Sequence, residues 1–422
     1  MQRGMGMDIW TVHGGRPLEG SVRVHGAKNA VLPIMAASVL CGCESELLNC
    51  PELSDVAAAM RILGHLGCDV SRDGDIISID SRCACRSDIP HELMREMRSS
   101  VIFLGAILGR FGEVTLSMPG GCELGPRPID IHLEALKSLG AEVTAQAGNI
   151  YCRADELRGA LINLSMPSVG ATENAILAAC AAHGESTITN AAREPEIVDL
   201  CSYLRQLGAY ISGDGTPSIT ISGFEPRDHV GYRIMPDRIV AATLMCCTAA
   251  AGGMTEICGA RPRDLDTVIS ALEQMGCAVS CSEDRIIMSS WKPLMPPRPV
   301  ITKPFPGFPT DAQPLLMASC LKARGTSVFV ENIFENRFRH AAELRRLGAD
   351  IRTEGRVAVV TGVDDLHGAP MTTTDLRGGA ALIVAALSAE GDSVIMDCGH
   401  IDRGYEALDK QLAKLGAEIR RE

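Results

Sequence analysis

Residues 65–70 read HLGCDV, and five later stretches repeat the pattern: SLGAEV (138–143), QLGAYI (206–211), QMGCAV (274–279), RLGADI (346–351) and KLGAEI (414–419). Each is a large apolar residue, a glycine, a small residue and a β-prone start. Glycine suits the left-handed turn that closes a helix, so each stretch predicts a helix end followed by a strand. The glycines, Gly67, Gly140, Gly208, Gly276, Gly348 and Gly416, lie 73, 68, 68, 72 and 68 residues apart. Six units of this size account for all 422 residues, and a fixed period of this kind decides the architecture.

A second signature runs in step. AVLPIMAASVLCG, SVIFLGAILGRFG, AILAACAAHG, RIVAATLMCCTAAAGG, PLLMASCLKARG and ALIVAALSAEG are rich in small apolar residues and end at glycine. Apolar nearly all round, they predict buried helices. β-like runs such as EVTLSM, STITN, TSVFV and DSVIM follow. A polar loop comes next, then an amphipathic helix carrying the first signature; Leu133, Leu136 and Leu139 show its spacing. Each unit thus reads helix, strand, loop, surface helix, strand, strand. Six units exceed one core, so they divide three and three, with the boundary near Met235 where IMPDRIV opens the fourth buried helix. An open solenoid fits less well, because wholly apolar helices need enclosure on all sides.

Composition narrows the function. Hydrophobic residues at 46% and charged residues at 22% describe a folded protein. A net charge of −12 argues against a nucleic-acid or membrane-surface binder, and 4% aromatics leave little for stacking bases. The longest uncharged run, Ile239–Thr255, is too short and too polar to span a membrane. None of the 17 cysteines forms a CxxC pair, which disfavours structural zinc. With no basic-then-apolar leader at the start, a reducing cytoplasm is expected. Phosphate-loop, zinc-protease and nucleophile-elbow motifs are absent, so ATP hydrolysis and nicotinamide chemistry have no support.

Two edges of the repeat carry unusual residues. The buried helices start at GAKNA (Lys28, Asn29), MRSS (Arg98), SVGATEN (Ser168, Val169, Gly170), PDR (Asp237, Arg238), PTDAQ (Asp311) and DLRGGA (Arg377). Helix N-termini favour anions, so a cation placed there is costly unless an anionic ligand is expected. The bland alternative pairs each cation with a nearby carboxylate. The second edge is the polar loops, of which MPGGCELGPRPID is the longest. It places Cys122 and Arg127 among glycines, where an accessible thiol near cations can ionise. These residues describe a cation-rich cleft with one acid and one thiol as proton movers.

GAKNA, MPGGCELGPRPIDIH, SVGATEN, NAAREPEIVD, FPTDAQ, FENRFRH, TDLR and HIDRGYEALDKQLAKLGA, in this order, resemble the UDP-N-acetylglucosamine 1-carboxyvinyltransferase (enolpyruvyl transferase) family. The likeness runs from about Trp10 to the C-terminus. It implies an α/β fold: a two-domain inside-out α/β barrel built from six βαβαββ-like repeats, three per domain. The first domain would span 28–235, and the second 1–27 with 236–422. It implies transfer of the enolpyruvyl group of phosphoenolpyruvate to the 3-hydroxyl of UDP-N-acetylglucosamine, the first committed step of peptidoglycan synthesis, with no metal or organic cofactor. The sugar nucleotide would bind first and draw the domains together. Cys122 would be the proton donor, able to form a covalent adduct and to react with the epoxide fosfomycin; Asp311 would be the general base or hydroxyl-orienting carboxylate. Lys28, Asn29, Arg127, Arg377 and Arg403 would bind phosphoenolpyruvate. Asn29, Arg98, Arg127, Pro128, Ile129, Asp130, Ile131, Ser168, Val169, Gly170, Asp311 and Ile333 would bind UDP-N-acetylglucosamine. Some members carry a Lys two residues before SVGAT, whereas Met166 and Pro167 stand here. The glycines of DLRGGA are expected to loosen that helix start by ~0.5–1 kcal/mol each. The rivals are a shikimate-3-phosphate-using relative, in which the GGC loop and HIDRGYE are not expected, and a silent sugar-nucleotide-binding paralogue, disfavoured because the site motifs are intact.

Overall fold

All six signature glycines take the left-handed conformation, with φ between 92° and 117°. That backbone turn is local chemistry, and it recurs wherever the motif recurs. The computed structural model describes residues 8–97, 99–117, 129–146 and 148–422. Each repeat forms a four-stranded sheet of the same design. In the fifth repeat, for instance, Val300–Ile301 runs parallel to Thr326–Val330; that strand pairs antiparallel with Val357–Thr361, and this in turn with Asp350–Glu354. The lead strands are as short as Asp88–Ile89 and Val300–Ile301, too short to show alternation in sequence.

The described residues divide into two compact units, one holding those of 26–117 and 129–235 and the other holding 8–25 with 236–422. Each has its own hydrophobic core. In the first, the helices Lys28–Ala37, Phe103–Phe111 and Val169–Cys180 are buried along most of their length. In the second, Arg238–Ala251, Gln313–Ser319 and Leu376–Ser388 pack against one another inside three sheets. Ile239–Thr255 is thus a core helix and the start of its following strand. Among the described residues no helix is long and apolar enough to cross a membrane.

Two lead strands are exchanged. Leu18–Arg23 precedes the first buried helix but pairs with Gly253–Cys258 in the other unit. His229–Arg233 precedes the fourth buried helix but pairs with Glu44–Leu48. The N-terminal strand Ile9–His13 sits in the middle of the sixth sheet, between Asp392–Met396 and Glu418–Arg421. The second unit therefore takes two strands from the N-terminus. The cysteines behave as small hydrophobes: all sixteen described are free thiols, and eleven are buried.

Candidate active site

The three buried helices of the second unit each begin beside an aspartate, and two of these aspartates do the same work. Asp237 Oδ1 accepts from the N–H groups of Ile239 and Val240 at 2.8 and 3.0 Å. Asp375 Oδ1 accepts from those of Arg377 and Gly378 at 3.1 and 3.0 Å. Both are N-caps that satisfy otherwise orphaned donors. Asp311 is different. Its helix starts two residues later, at Gln313, and its side chain makes no capping bond. Its carboxylate instead accepts from Arg337 Nη2 on Oδ1 and from Arg377 Nε on Oδ2, both at 3.1 Å. Burial pushes Asp311 up, but Arg377, Arg337 and Arg238 outweigh that and hold it at about 2. It is an ionised, partly exposed carboxylate of low basicity.

Both arginines are almost wholly buried. Arg337 is pinned by Thr310 O, by Asp375 at 3.7 Å and by the Phe334 ring, 5.7 Å from its guanidinium carbon. Arg377 lies over the Tyr405 ring at 5.2 Å, and the Tyr405 hydroxyl meets Thr243 Oγ1 at 2.9 Å. Arg377 Nη1 is buried without a hydrogen-bond partner. A buried guanidinium donor left open is costly, and the Tyr405 side chain beside it offsets part of that cost.

The motif FENRFRH does not by itself single out Arg337; its signal is a charged residue between two phenylalanines. Nor does the sequence mark Glu331, whose Oε1 accepts from the N–H groups of Ile333 and Phe334 at 2.7 and 3.0 Å, while Thr310 Oγ1 donates to Oε2 at 3.0 Å. Glu331 thereby shapes the Ile333 loop and ties it to the residue before Asp311. Arg403 ends the 3-10 turn Cys398–Arg403, which packs on the helix carrying Arg377. The glycines of DLRGGA explain that packing. A Cβ on Gly379 would meet Ile401 and Thr373 at 3.0 and 3.1 Å, and one on Gly378 would meet Asp375 Oδ2 at 2.6 Å. They do not merely loosen the helix start; they let the cap and the Arg403 turn approach it.

In the other unit, Lys28 opens the first buried helix, and its Nζ lies 2.6 Å from Asp55 Oδ2, both buried. Lys28 thus has a carboxylate at its side, the pairing that the bland alternative describes. Asn29 follows, exposed, and Pro33 has no N–H for the Asn29 carbonyl. Ser168 caps the third buried helix by accepting from Ala171 N at 3.4 Å, and Val169 and Gly170 form its first turn. Ile129, Asp130 and Ile131 lie at the start of the helix Asp130–Ser138, which the structure brings to the same place. His132 leaves no room for a Cβ on Gly170, at 2.9 Å, and its Nδ1 lies 2.9 Å from Asn174 Nδ2. Met166 is exposed and brings no cation there. Arg98, Cys122, Arg127 and Pro128 lie outside the described residues.

The profile of the EPSP synthase (3-phosphoshikimate 1-carboxyvinyltransferase) family matches residues 12–412. The chain is 46% identical over 413 residues to UDP-N-acetylglucosamine 1-carboxyvinyltransferase 2 of Caldanaerobacter subterraneus subsp. tengcongensis, covering 98% of this chain and 99% of that one. It is also 46% identical over 424 residues to the UDP-N-acetylglucosamine 1-carboxyvinyltransferase of Zymomonas mobilis subsp. mobilis, with 98% and 99% covered. Among solved structures, the enolpyruvyl transferase NikO from Streptomyces tendae superposes with a TM-score of 0.88 at 27% identity over 99% of both chains. EPSP synthase from Acinetobacter baumannii gives 0.74 at 18% identity, covering 98% of this chain and 100% of that one, and so shares the fold. The sixfold repeat, the uncapped aspartate between two buried arginines and these relationships place the chain in the enolpyruvyl transferase family, with the UDP-N-acetylglucosamine 1-carboxyvinyltransferases.

Proposed function

We propose that this protein transfers the enolpyruvyl group of phosphoenolpyruvate to the 3-hydroxyl of UDP-N-acetylglucosamine and releases phosphate. The observation that carries the reading is Asp311, freed from capping and flanked by Arg337 and Arg377. The sugar 3-oxygen attacks C2 of phosphoenolpyruvate while a proton is added to C3. The tetrahedral adduct then loses a C3 proton and breaks the C2–phosphate bond. Asp311 is the carboxylate that orients the hydroxyl and takes its proton. At a pKa of about 2 it is a poor base. An anionic substrate that engages Arg377 Nη1 competes for the positive charge now spent on Asp311, and so raises its basicity when the substrate is in place. Arg377, Arg403, Lys28, Asn29 and Arg127 hold the phosphate and carboxylate of phosphoenolpyruvate, where guanidinium forks suit multidentate anions.

Cys122 donates the C3 proton and is the site for an epoxide or a phospholactoyl adduct. Arg98, Pro128, Ile129, Asp130, Ile131, Ser168, Val169, Gly170 and Ile333 hold the sugar nucleotide, together with Asn29, Arg127 and Asp311. The compartment is the cytoplasm, in keeping with sixteen described free thiols. Phosphate release measured with UDP-N-acetylglucosamine and with shikimate 3-phosphate, each beside phosphoenolpyruvate, tests the reading. Turnover with the first acceptor alone supports it. Turnover with the second alone, or with neither between pH 6 and 9, overturns it.

A further inference from the structure

We propose that Cys41 and Cys43, beyond the C-terminal end of the helix that Lys28 opens, form a dithiol that a hydroperoxide closes to a disulfide. The two sulfurs lie 3.7 Å apart across Gly42. They follow the last turn of the first buried helix and precede the strand Glu44–Leu48. Gly42 takes φ 60°, and a Cβ there would strike the Arg110 guanidinium at 2.5 Å from Nη2 and 2.8 Å from Nη1. The glycine therefore seats a cation directly over the Cys-Gly-Cys turn.

Access is built in. A cavity of about 490 Å³ is lined by Cys41, Arg110, Cys180, His183 and Phe224 among others, so Cys41 faces a space large enough for a small oxidant. Among the described residues no three His, Cys, Asp or Glu side chains converge as a metal site, which leaves thiol chemistry.

The rest of the cysteine set supplies the contrast. Burial pushes Cys50, Cys68 and Cys180 up to about 12, as expected of inert core thiols. Cys43 goes the other way. The hydrogen bond from Cys41 lowers it against its burial, helped by Ser45 and Arg110, while the same bond raises Cys41. The pair thus shares one proton beside a cation. Once that proton crosses to Cys43, the Cys41 thiolate attacks one peroxide oxygen. The O–O bond breaks, hydroxide takes up a proton and leaves as water, and Cys41 becomes a sulfenic acid. Cys43, losing its proton, attacks the Cys41 sulfur; the S–O bond breaks and a second water leaves. Two thiols lose two electrons and the peroxide gains them.

The test treats the full-length protein with hydrogen peroxide, blocks remaining thiols and maps tryptic peptides by mass. The peptide Asn29–Arg61 holds Cys41, Cys43 and Cys50. The expected product has lost two hydrogens, is alkylated only at Cys50, and regains both other alkylations after dithiothreitol. In Cys41→Ser that loss disappears. In Cys43→Ser oxidation stops at a sulfenic acid on Cys41 that dimedone traps. Arg110→Gln slows closure several-fold. Full alkylation of Cys41 and Cys43 after peroxide, added oxygen without loss of hydrogen in the wild type, or a bridge to Cys50 or Cys180 overturns the proposal. Because the readout is mass, it is independent of enzymatic turnover.

Discussion

Three aspartates in equivalent places do two different jobs, and the difference lies in one residue of helix register. Asp237 and Asp375 cap their helices; Asp311 misses its cap and turns to two arginines. Removing that carboxylate leaves two buried guanidiniums short of charge, so Asp311→Asn is expected to abolish measurable phosphate release. Arg377→Lys keeps a charge but loses the fork that spans Asp311 and the open Nη1 position. A drop of about 10²-fold or more in kcat/KM is expected, read in the phosphate-release assay. His340 lies beneath this cluster, fully buried, with Nδ1 3.1 Å from the Arg337 carbonyl. Burial lowers its pKa to about 4, with Asp375 opposing and Arg337 assisting. The native state therefore binds fewer protons than the unfolded chain between about pH 6.5 and 4, and stability falls as pH falls through that window. Denaturant midpoints measured from pH 7 to pH 4 check this: His340→Gln should flatten the acid side of the profile.

At the scale of the element, the repeat is punctuated by glycines whose conformation other residues resist. Gly208 has φ 117°, and a Cβ there would also run into the Glu225 carbonyl. Gly208→Ala is expected to cost about 1–3 kcal/mol, measurable as a lower urea midpoint with unchanged slope. Gly379→Ala belongs to another class. Its Cβ would push against Ile401 in the turn that ends at Arg403. The expected result is a raised KM for phosphoenolpyruvate together with about 1–3 kcal/mol of overpacking, with steady-state kinetics and melting measured on the same sample. If stability falls and KM does not move, the turn is support alone.

For the whole molecule, the N-terminus is a structural part of the last repeat. Ile9–His13 is the inner strand of the sixth sheet, with Trp10 and Val12 fully buried. Deleting residues 1–13 strips both its neighbours of a hydrogen-bonding partner and removes two core side chains worth ~1.5–3 kcal/mol each. The truncated chain is expected to lose cooperative unfolding of the 236–422 portion, seen as loss of amide-exchange protection in 392–396 and 418–421 while 26–235 keeps its protection. The exchanged lead strands make the same point: Leu18–Arg23 and His229–Arg233 each pair in the unit other than the one their following helix enters.

The repeat was legible in one dimension because its causes are local. The glycine that ends each surface helix turns left-handed in all six repeats, and a segment apolar on every face must be enclosed. The family motifs were legible for the same reason, being contiguous. Where strands go was not legible: lead strands of two or three residues carry no alternation, and Ile9–His13 finds its partners nearly four hundred residues away. The ion cluster was not legible either, since Arg337 and Arg377 reach Asp311 from 26 and 66 residues further on. Local backbone preference wrote the repeat into the chain; only tertiary packing, by burying two arginines against one carboxylate, decided which of the three equivalent aspartates is left uncapped and ion-paired.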